Sequence, residues 1–475
     1  MSIAVSCSPI NDDSTTEALK RWLRAEATRL GPGQRLPATR AIVQARHVSP
    51  LTVSHALADL SQEGVLVTRP GTGTYVTEAQ RQRVSDPADY WWQTVALADR
   101  AVDTGGLSPL ADPPQADDLI SLAAGYLHPS LTPQAALRAA LTRAARLPDA
   151  WDRPPTPGLA GLRSWFAQAA PGFDARDVLI TSGGQCALSA VFRALVPPGA
   201  PLLVESPTYP GALAVARAAG LRPVPVPADR DGVIPAHLAE AFGRTGAQAI
   251  YCQPAYHNPT GAVLAGSRRP EVLSAAAAAG AFVIEDDFAR WLPHTGRAPA
   301  PLLADDNEGR VVYLTSLTKA ASASLRVGAI IARGPVADRL RALRAVDDLF
   351  VSRPLQEAAL ELVSRPAWPR HLKSLSQALG SRAATLASAL GRLLPEVSVE
   401  LPRGGMHLWA RLPAGLDDVT AAEAARRAGV VVMPGRPFFP AEPPGPYLRL
   451  AFCGAATEAD LVTAVSILAS AITSA

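Results

Sequence analysis

Short apolar runs alternate with longer alanine-rich stretches from about Leu119 to the C-terminus. The runs are Val178–Ile180, Pro201–Val204, Arg222–Val226, Ala249–Cys252, Ala281–Ile284 and Val311–Leu314. Continuous apolar runs bounded by turn residues predict strands covered on both faces. Their alternation with helical stretches predicts an α/β domain with a mostly parallel sheet. The first part of the chain has a different rhythm. Leu19, Trp22, Leu23, Ala27 and Leu30 recur at helical spacing over Thr15–Leu30, and Gly31-Pro32-Gly33 stops that helix. A second helix is predicted from near Pro37-Ala38-Thr39-Arg40 to about Ala45. Ser49 caps a third, with Pro50 in the first helical position, where a missing N–H costs nothing. Its buried stripe is Val53, Ala56, Leu57 and Leu60, which turns Leu51, Thr52 and His55 outward. Gly64 ends it, and Val65–Arg69 and Gly73–Val76 read as two short strands around Pro70-Gly71-Thr72.

These patterns divide the 475 residues into a tail (1–13), a helical module with a hairpin (14–77), a connecting segment (78–118) and a large domain (119–475). A smaller subdomain is expected mainly from about residue 350 onward. The connecting segment holds one patch, Tyr90, Trp91, Trp92, Val95, Ala96, Leu97 and Val102, that predicts an amphipathic helix with its aromatics docked on a neighbouring domain. Net charge is +3, which gives no whole-protein argument for nucleic acid or membrane. Cys7, Cys186, Cys252 and Cys453 lack CxxC or CxH spacing, so neither a zinc site nor a disulfide framework is expected, and the pattern fits a reducing cytoplasm. The N-terminus does not read as a signal peptide, and no apolar run reaches membrane-spanning length.

The polar motifs follow the predicted strands, at the ends where such sheets bind ligands. They are Thr181-Ser182-Gly183-Gly184-Gln185, then Glu205-Ser206-Pro207-Thr208-Tyr209, then His257-Asn258-Pro259-Thr260-Gly261, then Glu285-Asp286-Asp287-Phe288, then Thr315-Ser316-Leu317-Thr318-Lys319 with Ser324-Leu325-Arg326. A glycine-rich helix start is an anion site. A lysine between hydroxyls and an arginine can meet a phosphate and an aldehyde together.

Taken in order, these motifs resemble the fold-type I pyridoxal-phosphate aminotransferases over roughly Leu119 to Ala475. The resemblance implies that Lys319 forms the Schiff base with pyridoxal 5'-phosphate and that Asp286 pairs with the ring nitrogen. It further implies that Asn258 bonds the phenolic oxygen and that Tyr209 stacks on the ring. Gly184, Gln185, Ser316, Thr318 and Arg326 would hold the phosphate. Arg449 would clamp a substrate carboxylate. Two departures stand out. Phe288 occupies the place of a tyrosine that donates to the phenolic oxygen, which implies slower transamination. No clear match to a partner-subunit tyrosine exists near Trp151-Asp152-Arg153.

The N-terminal strings, Arg35–Arg40, Val48–Val53, Leu60–Gly64 and Arg69–Val76, resemble the GntR-type winged helix-turn-helix. That resemblance implies that Arg40 contacts phosphate, that Thr52 and His55 enter the major groove, and that the wing at Gly71 and Gly73 lies along the minor groove. Pro50 stands where such proteins often carry arginine. Residues 1–80 hold eight Lys/Arg against seven Asp/Glu, so a single module would bind DNA weakly. Pairing of two modules on repeated half-sites would compensate.

The combined fold class is a winged helix-turn-helix joined to an α/β fold-type I transferase domain with a smaller α+β subdomain. That combination resembles the MocR subfamily of bacterial transcription regulators. It implies a homodimeric regulator that binds double-stranded DNA and senses an amino acid, an amine or the vitamer itself. The alternative is a working aminotransferase that carries a weak or vestigial DNA module.

Overall fold

The computed structural model describes residues 15–77, 90–97, 119–123 and 125–473. The expected tail, Val102 and most of the connecting segment lie outside those residues. The chain divides into two compact units, residues 1–101 and 102–475.

In the first unit, α1 (Thr15–Leu30), α2 (Thr39–Arg46) and α3 (Pro50–Gln62) precede β1 (Leu66–Arg69) and β2 (Gly73–Val76). The turn between α2 and α3 is short because His47 takes a left-handed conformation at φ 52° and Ser49 caps α3 through the Thr52 N–H. Leu19, Leu23, Ile42, Val53, Ala56 and Leu60 close one small core. β1 and β2 pair antiparallel from Leu66↔Val76 to Arg69↔Gly73, which makes the wing. A further helix, α4 (Trp91–Ala96), forms where the aromatic patch predicts one. Tyr90, Trp92, Val95 and Leu97 are each more than half exposed.

The second unit opens with β3 (Ile120–Ser121) and continues through β4 (Val178–Thr181), β5 (Pro201–Ser206), β6 (Arg222–Asp229), β7 (Gly232–Val233), β8 (Ala249–Cys252), β9 (Phe282–Asp287), β10 (Val311–Ser316) and β11 (Gly328–Ile331). The last five strands are β12 (Ser398–Val399), β13 (His407–Arg411), β14 (Val430–Val431), β15 (Met433–Pro434) and β16 (Tyr447–Ala451). The main sheet has eight strands in the order β4-β11-β10-β9-β8-β5-β6-β7. All six predicted strands are in it. The sheet is mixed, because β11 runs antiparallel between β4 and β10.

Alternate residues of each strand feed opposite faces. Leu179, Leu202, Val204, Ile284, Val312 and Leu314 pack under the helices Gly184–Leu195 and Pro210–Ala218. Ile180, Leu203, Ile250, Val283, Val311 and Tyr313 pack into the larger core on the other face. A four-stranded sheet, β12-β13-β16-β15, forms the smaller layer, flanked by the helices Ala367–Leu393 and Glu458–Thr473. β3, the first described strand of the large unit, pairs in parallel with β14. The smaller layer therefore recruits residues from before the main sheet as well as those after residue 350.

Candidate functional site

The loops at the C-terminal ends of β4, β5, β8, β9 and β10 open on one side of the main sheet. They surround a cavity of about 340 Å³. Gly184, Gln185, Tyr209, Asn258, Asp286, Ser316, Thr318, Lys319, Arg326 and Arg449 all line it. Every large-domain residue singled out from the sequence is thus brought to one place.

Two close approaches shape the end of the cavity beside Gly184 and Arg326. Gly183 sits at φ +86°, a left-handed region costly for any other residue, and a Cβ there would lie 2.9 Å from the Arg326 guanidinium. A Cβ on Gly328 would lie 2.9 Å from the Thr315 carbonyl and 3.2 Å from the Gly183 backbone. Arg326 itself is left-handed at φ 50° and donates to the Ser182 carbonyl at 2.8 Å. The helix N-terminus at Gly184, the Ser316 and Thr318 hydroxyls 2.7 Å apart, and Arg326 give this end free N–H, O–H and cationic donors.

The register of β9 separates its acids. Asp286 lines the cavity; Asp287, one residue on, points to the opposite face, where Tyr313 donates to it at 2.8 Å and Arg290 lies 3.4 Å away. Asp286 accepts from the Tyr251 hydroxyl at 2.7 Å and from the Gln253 amide at 2.9 Å, both on Oδ2. Burial raises the Asp286 pKa, and these two donors oppose that shift. Gln253 also accepts from the Asn258 backbone N–H at 3.0 Å, while its own backbone N–H donates to buried Glu205 at 2.8 Å. One glutamine thus aligns the acid of β9 with the asparagine that follows β8.

Lys319 has its ammonium nitrogen 2.6 Å from the Gly125 carbonyl and 4.0 Å over the Tyr126 ring. Burial lowers its pKa to about 8, and neighbouring Arg449 adds to the effect. An amine so placed is far more available as a nucleophile near neutral pH than an ordinary lysine. Arg449 is 1 % exposed, far from the surface arginine that a strand position could equally have meant. It donates to Asn258 Oδ1 at 3.2 Å and to the Ala123 carbonyl at 2.8 Å, and its Nε has no partner. Tyr209 is half-buried and donates to Gln185 at 3.3 Å. Phe288 lines the same cavity with no hydroxyl to offer.

Sequence reasoning missed Gly125, Tyr126, Gly183, Tyr251, Gln253 and His407. Only Gly183 carried a signal, as the first glycine of its pair. The others come from strands and turns whose side-chain direction depends on register.

In the N-terminal unit, Arg40, Leu51 and His55 are exposed on α2 and α3. Thr52 is half-buried and its hydroxyl lies 2.8 Å from Ser49 Oγ. Gly71 and Gly73 hold the wing turn at φ 76° and 123°, and a Cβ on Gly73 would meet Arg35 at 2.7 Å. Lys20 is paired with Asp59 at 2.6 Å and Arg24 with Glu63 at 2.6 Å, so part of the unit's small basic content is already neutralised. Among the described residues no cluster could hold a metal ion, and no helix is long and apolar enough to cross a membrane.

Comparison with known proteins agrees with both halves. The family described as "Aminotransferase class I and II" matches residues 117–468, and "Bacterial regulatory proteins, gntR family" matches residues 12–76. The HTH-type transcriptional regulator TauR of Rhodobacter capsulatus is 29 % identical over 89 % of each chain. The probable rhizopine catabolism regulatory protein MocR of Rhizobium meliloti is 28 % identical over 89 % of this chain and 86 % of its own. The crystal structure of LysN, an alpha-aminoadipate aminotransferase from Thermus thermophilus, superimposes with a TM-score of 0.75 at 28 % identity, covering 81 % of this chain and 98 % of that one. The chain belongs to the class I and II aminotransferase family, its aminotransferase domain fused behind a gntR-family module as in the MocR-type regulators.

Proposed function

We propose that this protein is a pyridoxal-phosphate-dependent DNA-binding transcription regulator. Its aminotransferase-like domain senses an amino acid or amine, and two copies present their winged helices to repeated half-sites. The observation that carries this reading is the coexistence of two intact devices. Ten residues from several strands, loops and a helix start converge on one cavity, and a separately folded winged helix-turn-helix exposes one face of its third helix.

The residues present fit pyridoxal phosphate. Gly183 and Gly328, where no Cβ fits, allow the close packing that gathers the donors of Gly184, Ser316, Thr318 and Arg326, and this end suits a phosphate. Asp286, held by Tyr251 and Gln253, suits a protonated ring nitrogen. Tyr209 offers a flat face, and Asn258 an amide for a phenolic oxygen. When bound, the cofactor supplies an aldehyde for amine capture and a ring that withdraws electrons. Lys319 would hold the cofactor through its amine nitrogen, which now rests on the Gly125 carbonyl. Arg449 orients an acid group of the ligand.

DNA recognition rests on Arg40 for phosphate, on Thr52 and His55 for base edges, and on the wing at Gly71 and Gly73. The small net charge of the module means that affinity depends on two modules binding together. A ligand that favours one state of the cofactor domain then changes how the pair engages DNA.

An electrophoretic shift assay with the DNA upstream of the protein's own gene tests the reading. Salt-sensitive binding that responds to pyridoxal phosphate in the wild type, and loses that response in Lys319→Ala, supports it. Absence of binding at low salt sinks it. The lowered Lys319 pKa favours the second reading, a working aminotransferase, while Phe288 opposes it. Multiple-turnover transamination abolished by Lys319→Ala would support that second reading.

A further inference from the structure

His407 is 5 % exposed, lines the cavity, and has an Nε2 without a hydrogen-bond partner. A buried polar nitrogen left unpaired is costly, and native folds keep such groups where a ligand or water completes them. The sheet explains its position. β13 and β16 pair His407 with Ala451 and Trp409 with Arg449, so His407 and Arg449 are diagonal neighbours on one face. Arg449 also carries one unpartnered nitrogen, Nε, because its other two already serve Asn258 and the Ala123 carbonyl. Two unsatisfied nitrogens therefore belong to neighbouring side chains that both line the cavity.

The charges around them define what can complete them. Lys319, Arg326 and Arg449 line the cavity against one carboxylate, Asp286, which is already engaged by Tyr251 and Gln253. Burial, with Arg449 and Lys319 nearby, holds the His407 imidazole neutral, so it adds a hydrogen bond and no further charge. An anion bridging the two nitrogens satisfies both at once.

We propose that His407 is a specificity-determining residue. Its Nε2 and the Nε of Arg449 share the acid group of the ligand, so the site selects amino acids over amines. The inference rests on the reading of the cavity as the cofactor and ligand site. Among the described residues no further cation lines a cavity of about 340 Å³ that must also hold the cofactor, so the preferred ligands are small and carry a single acid group.

The test uses the full-length chain. Cofactor uptake is measured first, by dialysis and visible absorbance. Calorimetric titration then compares glycine, L-alanine, β-alanine and 4-aminobutanoate with methylamine, ethylamine and propylamine, which lack the acid group. The wild type should prefer at least one acid over its amine. His407→Phe should cut that preference by about tenfold to a hundredfold, the effect of losing one hydrogen bond to a charged group. It should do so by weakening the acids and leaving the amines unchanged. His407→Gln, which keeps a donor, should retain most of the preference. Should His407→Phe fail to take up cofactor, His407→Leu is read in the same way. Equal preference in the wild type and the ring variant overturns the inference and leaves the cofactor reading standing, as does a wild type with no preference for any acid. A wild-type chain that takes up no cofactor overturns both.

Discussion

Tyr251 donates its phenolic hydrogen to Asp286 across 2.7 Å, and both side chains are buried. The bond links the middle of β8 to the end of β9, and it favours the charged form of the carboxylate against the cost of burial. Tyr251→Phe removes the donor and leaves only Gln253. The Asp286 pKa should then rise further, so protonation should weaken pyridoxal phosphate binding at a higher pH than in the wild type. At neutral pH the affinity should fall about tenfold. Cofactor titrations across pH 5 to 8 check both; superimposable pH profiles would remove Asp286 from the proposed role.

Lys319 sets a second pH dependence. Its pKa is lowered to about 8, so the free amine becomes the main species as pH rises through that value. The rate of covalent cofactor capture should climb between about pH 7 and 9 and level off there, well below the range of an ordinary lysine. The shift also affects stability. The unfolded chain holds this proton more tightly than the folded one, so the cofactor-free protein should gain stability as pH rises from about 8 toward the unfolded pKa. Borohydride trapping followed by mass spectrometry should label Lys319 in the wild type and nothing in Lys319→Ala.

Gly183→Ala tests the anion end. The new methyl would sit 2.9 Å from the Arg326 guanidinium at a φ of +86°. Backbone strain of this kind costs about 1–3 kcal/mol. Denaturant melts should show that loss, and cofactor affinity should drop by more than the loss alone explains, because Arg326 is displaced. A Gly243→Ala control, in the helix Pro235–Thr245 and outside the cavity lining, meets nothing within 4 Å and should bind cofactor as well as the wild type.

For the DNA module, Arg40→Ala should weaken binding similarly on all sequences and lower the slope of log affinity against log salt by about one unit. His55→Ala should instead relax sequence preference and leave the salt slope unchanged. Competition binding with randomised half-sites at several salt concentrations separates the two outcomes.

The sequence was most informative where chemistry and strand ends coincide. The six apolar runs are all strands, and the five motifs lie where a sheet of this class binds ligands. Ser49 with Pro50 marked the start of α3 to the residue. What was hidden depended on register or on long-range pairing. β11 reads as Gly328–Ile331 after a hydroxyl-rich loop, and nothing local says that it inserts antiparallel between β4 and β10. His407 and Gln253 face the cavity because of alternation along strands and turns whose starting points only the fold sets. The α4 patch was legible by its period, and a helix forms there.

The pairing of β3 with β14 has a mechanical consequence. It fixes Ile120 and Ser121, and Ala123 and Gly125 soon after them reach the cavity residues. The Ala123 carbonyl takes a bond from Arg449, and the Gly125 carbonyl takes one from Lys319. These residues are the first described after the segment that leads back along the chain to the winged helix. An occupant that engages the Lys319 nitrogen must take it from the Gly125 carbonyl, whereas the free Nε of Arg449 can be engaged with the Ala123 bond kept. Of the two bonds that hold this stretch to the cavity, one is therefore open to competition by an occupant and the other is not, at the threshold of the connecting segment.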